Sequence, residues 1–139
     1  MYPVPKNAYI AKILVPVVYG CEQKSAIHAA HSIAGDENVL LTGFIYIPED
    51  QSLSTAAVDA RKLRLTLKKL YKVKRGDKWA QVNVSHKPWD ELVNVVKRED
   101  IDLLLLEWPC HFDALKTSVA EVLSQPPCNI AIVNQHIGA

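Results

Sequence analysis

The sequence predicts an α/β domain built on a five-stranded parallel sheet with helices on both faces. Two short runs, residues 12–18 (KILVPVV) and 101–106 (IDLLLL), are almost wholly apolar, too short to cross a membrane, and read as strands covered above and below. Strand-like and helix-like segments alternate along the whole chain, which implies parallel pairing through right-handed crossovers. The stretch 100–133 condenses this logic into one unit. Its apolar run ends at Glu107-Trp108-Pro109-Cys110, a helical segment with Leu115, Val119, Val122 and Leu123 follows, and Pro126-Pro127 stops that helix before the β-rich residues 129–133.

Each earlier element has its own signature. After the first strand the turn Tyr19-Gly20-Cys21 leads into a helix over 22–34, with Ala26, Ala30, Ile33 and Ala34 on one face and Gly35 as its stop. Residues 39–47 (VLLTGFIYI) form the next strand, closed by Pro48, and Gly43 marks either a bulge or a close helix contact. The longest helix is expected over 56–72, with Ala56, Ala60, Leu63, Leu67 and Leu70 as its buried stripe. Residues 79–85 alternate apolar and polar, as suits an edge strand covered on one face. Pro88 opens a short helix to Arg98 with Trp89, Leu92, Val93 and Val96 inward and Asp90 and Glu91 in its first turn. The order is β-α-β-α-β-α-β-α-β, and ligands in such sheets bind beyond the carboxyl ends of the strands.

At 139 residues the chain is one domain, able to bury roughly two thirds of its unfolded surface. Residues 1–11 read as an extended lead-in or linker, and 12–135 as the domain. A net charge of +1 excludes global attraction to nucleic acid, but its distribution is uneven. Nine Lys and Arg residues fall between Arg61 and Lys78 against the single acid Asp77, a local charge of about +8. This basic region, 61–75 at its centre, reads as a solvated helix face, or as a surface for an acidic protein or an anionic membrane leaflet; nucleic acid is not expected. Three cysteines at no metal-ligand spacing argue against a disulfide framework and for a reducing compartment. No run approaches a membrane span and the first residues lack the apolar core of a signal peptide, so the expected location is cytoplasmic.

The pieces KILVPV, DLLLLEW and above all SVAEVLSQPPCNIAIV, in this order and spacing, resemble the universal stress protein family over nearly the whole chain. That resemblance implies a sheet of order 3-2-1-4-5 of the adenine nucleotide alpha hydrolase-like kind, a three-layer sandwich. It also implies frequent dimerisation through the last strand, here Asn129, Ile130, Ala131, Ile132 and Val133. In the family's nucleotide-binding branch it implies an ATP pocket between strands one and four, made from an Asp after the first strand and a glycine-rich loop after the fourth. The chain departs from that pattern. Val18 stands at the Asp position, Glu107 and Trp108 stand where the first glycine is expected, Cys110 and His111 follow without glycine, and only Thr117-Ser118 survives. A phosphate cradle needs close backbone N–H groups, and this loop loses one at Pro109, gains the charge of Glu107 and adds the rings of Trp108 and Phe112.

The expectation is therefore a non-catalytic regulatory or stress-associated module, dimeric, without cofactor and not binding ATP or AMP in the usual mode. The alternative is a small-ligand or adenine-nucleotide sensor, or a cytosolic domain of a larger transporter, with an altered pocket of Val18, Tyr19, Ile47, Glu107, Trp108, Thr117 and Ser118. Cys21 and Cys110 follow neighbouring strands with His111 close by, and read as unrelated loop thiols, a redox pair or a partial metal site. His28 and His31 share a helix face, and no role is assigned to His86 or His136. Glu107 is the one candidate acid, being a carboxylate at the end of a buried strand, but no nucleophile or second acid accompanies it.

Overall fold

The computed structural model describes residues 12–21, 23–71 and 80–134. The expected lead-in at 1–11, the far end of the basic region with Lys72 and Arg75, the strand start at Trp79, and His136 lie outside the described residues. Five strands, β1 (Ile13–Val17), β2 (Val39–Tyr46), β3 (Val82–Ser85), β4 (Leu103–Trp108) and β5 (Asn129–Asn134), form one sheet of order β3-β2-β1-β4-β5. Every pairing is parallel, from Ile13 beside Val39 and Leu103 to Leu103 beside Asn129.

Side chains of β1 and β4 alternate between two cores, as a pleated strand requires. Ile13, Val15, Val17 and Leu105 join Ala26 and Ala30 of α1 (Lys24–Ile33) and Leu63 and Leu67 of α2 (Ala57–Leu70). Leu14, Val18, Leu104 and Leu106 join Trp89, Leu92, Val95 and Val96 of α3 (Pro88–Arg98), Phe112 and Leu115 of α4 (Cys110–Leu115), and Val122 of α5 (Val119–Ser124). This parity sends Glu107, two residues beyond Leu105, to the α1 side.

Gly43 is a close helix contact. A Cβ there would lie 2.9 Å from Leu63 Cδ2 and 3.0 Å from Val82 Cγ2. The helix expected over 56–72 begins as a 3-10 turn, Leu53–Ala56, and passes into α2. Ile33, expected inward, is 58% exposed because α1 ends there, and the extended Ala34 turns into the core in its place. In α3, Val95 is fully buried and Val93 only packs against the core, a shift of the inward stripe by part of a turn.

The fourth helix also differs from expectation. Lys116 adopts a left-handed conformation (φ 56°) and divides the segment into α4 and α5, leaving Leu123 exposed. Leu115, Val119 and Val122 keep helical spacing across this break, so periodicity alone does not reveal it. Among the described residues no helix is long and apolar enough to cross a membrane.

Candidate functional site

The carboxyl ends of β1 and β4, where the strand order reverses direction, are joined by a set of buried polar contacts and one covalent bond. The loop after β1 turns at Gly20 (φ 70°), a conformation that suits a residue without Cβ. Gln23, buried at the start of α1, braces this loop: its Oε1 accepts from Val18 N–H at 3.1 Å and its Nε2 donates to the Cys21 carbonyl at 3.0 Å. Gln23 therefore makes no cap for its own helix. Glu107 supplies one instead. Its fully buried side chain accepts from Ala26 N–H at 2.9 Å, in the first turn of α1, where N–H groups lack intrahelical partners and the helix dipole favours an anion.

The backbone of Glu107 is equally committed. Its N–H donates to His111 Nδ1 at 2.7 Å, which makes Nδ1 an acceptor and assigns the proton of the neutral ring to Nε2. His111 is completely buried, and burial lowers its pKa from 6.5 to about 4, with the Pro16 backbone acting in the other direction. The Trp108–Pro109 peptide is cis, and α4 then begins directly at Cys110. Cys110 is disulfide-bonded to Cys21, with Cα atoms 5.8 Å apart. The odd cysteine count is thus a pair plus one thiol, Cys128, whose pKa burial raises. Both bonded cysteines are partly exposed at the rim of an otherwise buried cluster.

Ligand atoms of Cys21, Cys110 and His111 lie within 4.8 Å of one another, the nearest approach to a metal donor set among the described residues. The donor chemistry fits poorly. A metal on Nε2 would drive the ring proton to Nδ1, directly against Glu107 N–H, whereas metal-bound histidines ordinarily donate from their second nitrogen. The two sulfurs, already joined, are better suited to thiol chemistry than to coordination.

The remaining expected ligand residues are placed as follows. Val18 and Ile47 belong to the core. Tyr19 is exposed and its hydroxyl donates to the Asp59 carbonyl at 2.7 Å, tying the β1 loop to α2. Trp108 is half-exposed over Phe112, ring centroids 5.3 Å apart, while Phe112 is buried. Ser118 is the N-cap of α5, its Oγ accepting from Glu121 N–H at 3.1 Å, and Thr117 Oγ1 donates to Glu121 Oε2 at 3.1 Å. This is a variant of the capping box, and both hydroxyls are engaged within it.

The other described histidines, His28, His31 and His86, have local partners or face solvent. His31 Nδ1 lies 2.6 Å from Asp36 Oδ1, His86 Nδ1 lies 2.8 Å from the Ile47 carbonyl, and His28 is exposed. Sequence reasoning missed Gln23 and the Glu107–Ala26 contact, and it placed His111 only near the cysteines. The sequence carried no signal for Gln23, which fell inside the helix expected over 22–34.

The sheet order, the crossovers and the helices on both faces define a doubly wound, all-parallel α/β domain of strand order 3-2-1-4-5. No family model matches the chain, and no curated protein sequence matches it. Solved structures do. A universal stress protein in complex with cAMP superposes with a TM-score of 0.55 at 21% identity, covering 89% of this chain and 98% of that one. A hypothetical protein superposes with a TM-score of 0.54 at 20% identity, covering 91% and 97%. At these identities the likeness is one of fold.

Proposed function

We propose that this domain is a non-catalytic regulatory module of universal-stress type that acts through surfaces and does not hold ATP in the usual mode of that fold. One observation carries the reading: the first turn of α1, at the β1–β4 edge, is already capped by the Glu107 carboxylate. A phosphate brought there would compete with the buried Glu107 carboxyl for the same N–H group. The Cys21–Cys110 bond and the buried His111 and Phe112 add bulk at the same edge.

Two surfaces remain for partners. Among the described residues β5 ends the sheet, so the outer side of residues 129–134 offers strand edge, and Ile132 is 39% exposed beside it. Pairing with a second copy would cover both. The described part of the basic face, Arg61, Lys62, Arg64, Lys68 and Lys69, is exposed along α2 and suits an acidic protein or an anionic leaflet in a cytoplasmic setting. Sedimentation of the wild type at micromolar concentration should give a dimer and Ile132→Lys a monomer. A wild type that is monomeric throughout removes the β5 assignment.

A second reading has one observation in its favour, the cAMP held by the universal stress protein of the same fold. In it the altered edge serves as an adenine-nucleotide sensor in a different pose. Calorimetric titration with MgATP, AMP and cAMP separates the two. Absence of heat and of thermal stabilisation supports the regulatory module, whereas micromolar binding weakened by Ser118→Ala establishes the sensor.

A further inference from the structure

The geometry points to Cys21 and Cys110 as a reversible dithiol–disulfide site, opened by a low-molecular-weight thiol and closed by a hydroperoxide while the domain stays folded. It goes beyond the regulatory reading and does not depend on it. Both cysteines are partly exposed, so a small thiol reaches the bond from solvent. Each is also held by contacts that do not involve the bond. The Gln23 amide fixes the backbone at Cys21, and burial of His111, Phe112 and Leu115 fixes the short helix that begins at Cys110. With the Cα atoms kept near 5.8 Å by these contacts, the sulfurs stay within bonding reach whether joined or separate. A staple whose removal lets its ends diverge would not reclose in this way.

The chemistry balances with the reactants named. In opening, a thiolate attacks one sulfur and forms a mixed disulfide, and the other cysteine leaves as a thiolate and takes a proton. A second thiol resolves the mixed disulfide, so two small thiols become one small disulfide and the protein gains two thiols. In closing, one cysteine thiolate attacks the peroxide O–O bond, gives a sulfenic acid and releases an alcohol or water. The second thiol displaces the hydroxyl as water and forms the S–S bond. Cys128, partly buried, hydrogen-bonded to its neighbour's carbonyl and with a raised pKa, stands apart as an internal reference.

The test is alkylation of the full chain in the absence of denaturant, followed by mass measurement. Air-exposed protein should take up one iodoacetamide and thiol-treated protein three, the two new sites becoming reactive together. Hydroperoxide treatment should restore the single site with unchanged far-UV circular dichroism. Cys128→Ser should cycle between none and two, and Cys110→Ser should not form an intramolecular bond. The proposal is overturned if the bond resists thiols until the protein unfolds, if reduction abolishes the circular dichroism, or if hydroperoxide fails to reclose the pair. It is also overturned if the reduced chain binds one equivalent of Zn²⁺ that protects Cys21 and Cys110 from alkylation, since the pair is then a metal site.

Discussion

A carboxylate removed entirely from water costs several kcal/mol unless hydrogen bonds replace its hydration. Glu107 meets part of that demand at the start of α1, where one of its carboxyl oxygens accepts from Ala26 N–H at 2.9 Å. Glu107→Ala leaves Ala26 N–H without its partner and opens a hole beside it, and should cost about 2–4 kcal/mol. Glu107→Gln retains an acceptor of the same shape and should lose roughly half as much. Urea unfolding of the two variants checks the order; equal losses would mean that volume matters there and the hydrogen bond does not. His111 adds a pH dependence of known sign. Its folded pKa of about 4 lies below the unfolded value of 6.5, so the unfolded chain binds the proton first. Stability from this group is complete above pH 6.5 and is lost as pH falls toward 4, by about 3 kcal/mol in all. Carboxylates titrate in the lower part of that range, so the measurement is the difference from His111→Asn, whose side-chain oxygen also accepts from Glu107 N–H. A difference that stays flat between pH 7 and 4.5 would refute the assignment. The role of Glu107 was not legible in the sequence, because Glu107 and Ala26 are 81 positions apart and only the sheet brings them together.

Two helices end alike, and in both the residue type is at odds with the backbone. Asp100 (φ 51°) follows α3, and Ile101 N–H returns to the Val96 carbonyl at 3.0 Å; Lys116 (φ 56°) follows α4, and Thr117 N–H returns to the Phe112 carbonyl at 3.1 Å. These are Schellman-type closures, in which glycine is preferred because it has no Cβ to strain. Asp100→Gly should therefore stabilise the domain by about 1 kcal/mol. Lys116→Gly should give less, since Lys116 Nζ lies 4.9 Å from the Tyr46 ring centroid and that contact contributes roughly 0.5–1 kcal/mol at an exposed site. Thermal melts that rank Lys116→Gly above Asp100→Gly would show that the ring contact adds nothing. The absence of glycine is also why the break at Lys116 was invisible in sequence, where the α1 stop was signalled by Gly35. The strands were easier to read. Ile13 to Val17 and Leu104 to Leu106 are buried on both faces, and no other environment tolerates such runs in a short segment.

At the scale of the whole molecule, the sheet order follows from alternation and covered strands, whereas the bond across its centre does not. Cysteine spacing says nothing about loops that converge only after β1 and β4 have paired, so Cys21 and Cys110 could be placed on neighbouring strand ends but not joined. The bond closes a separation of 89 residues, which restricts the unfolded chain far more than the folded one. Chain entropy for a loop of that length corresponds to about 4–5 kcal/mol, an upper figure where the unfolded chain keeps residual structure. Reduction should accordingly lower the urea midpoint and raise the slope of the transition, because the reduced chain expands further when it unfolds. Folded-state contacts should be unchanged, and the Glu107→Ala loss should be the same in reduced and oxidised protein if the two effects are independent. A reduced domain that unfolds at the same midpoint and with the same slope would place the two ends close together in the unfolded ensemble. A Glu107→Ala loss that changes on reduction would instead show the bond supporting the α1 start, because the Cys21 loop leads directly into the helix that Glu107 caps.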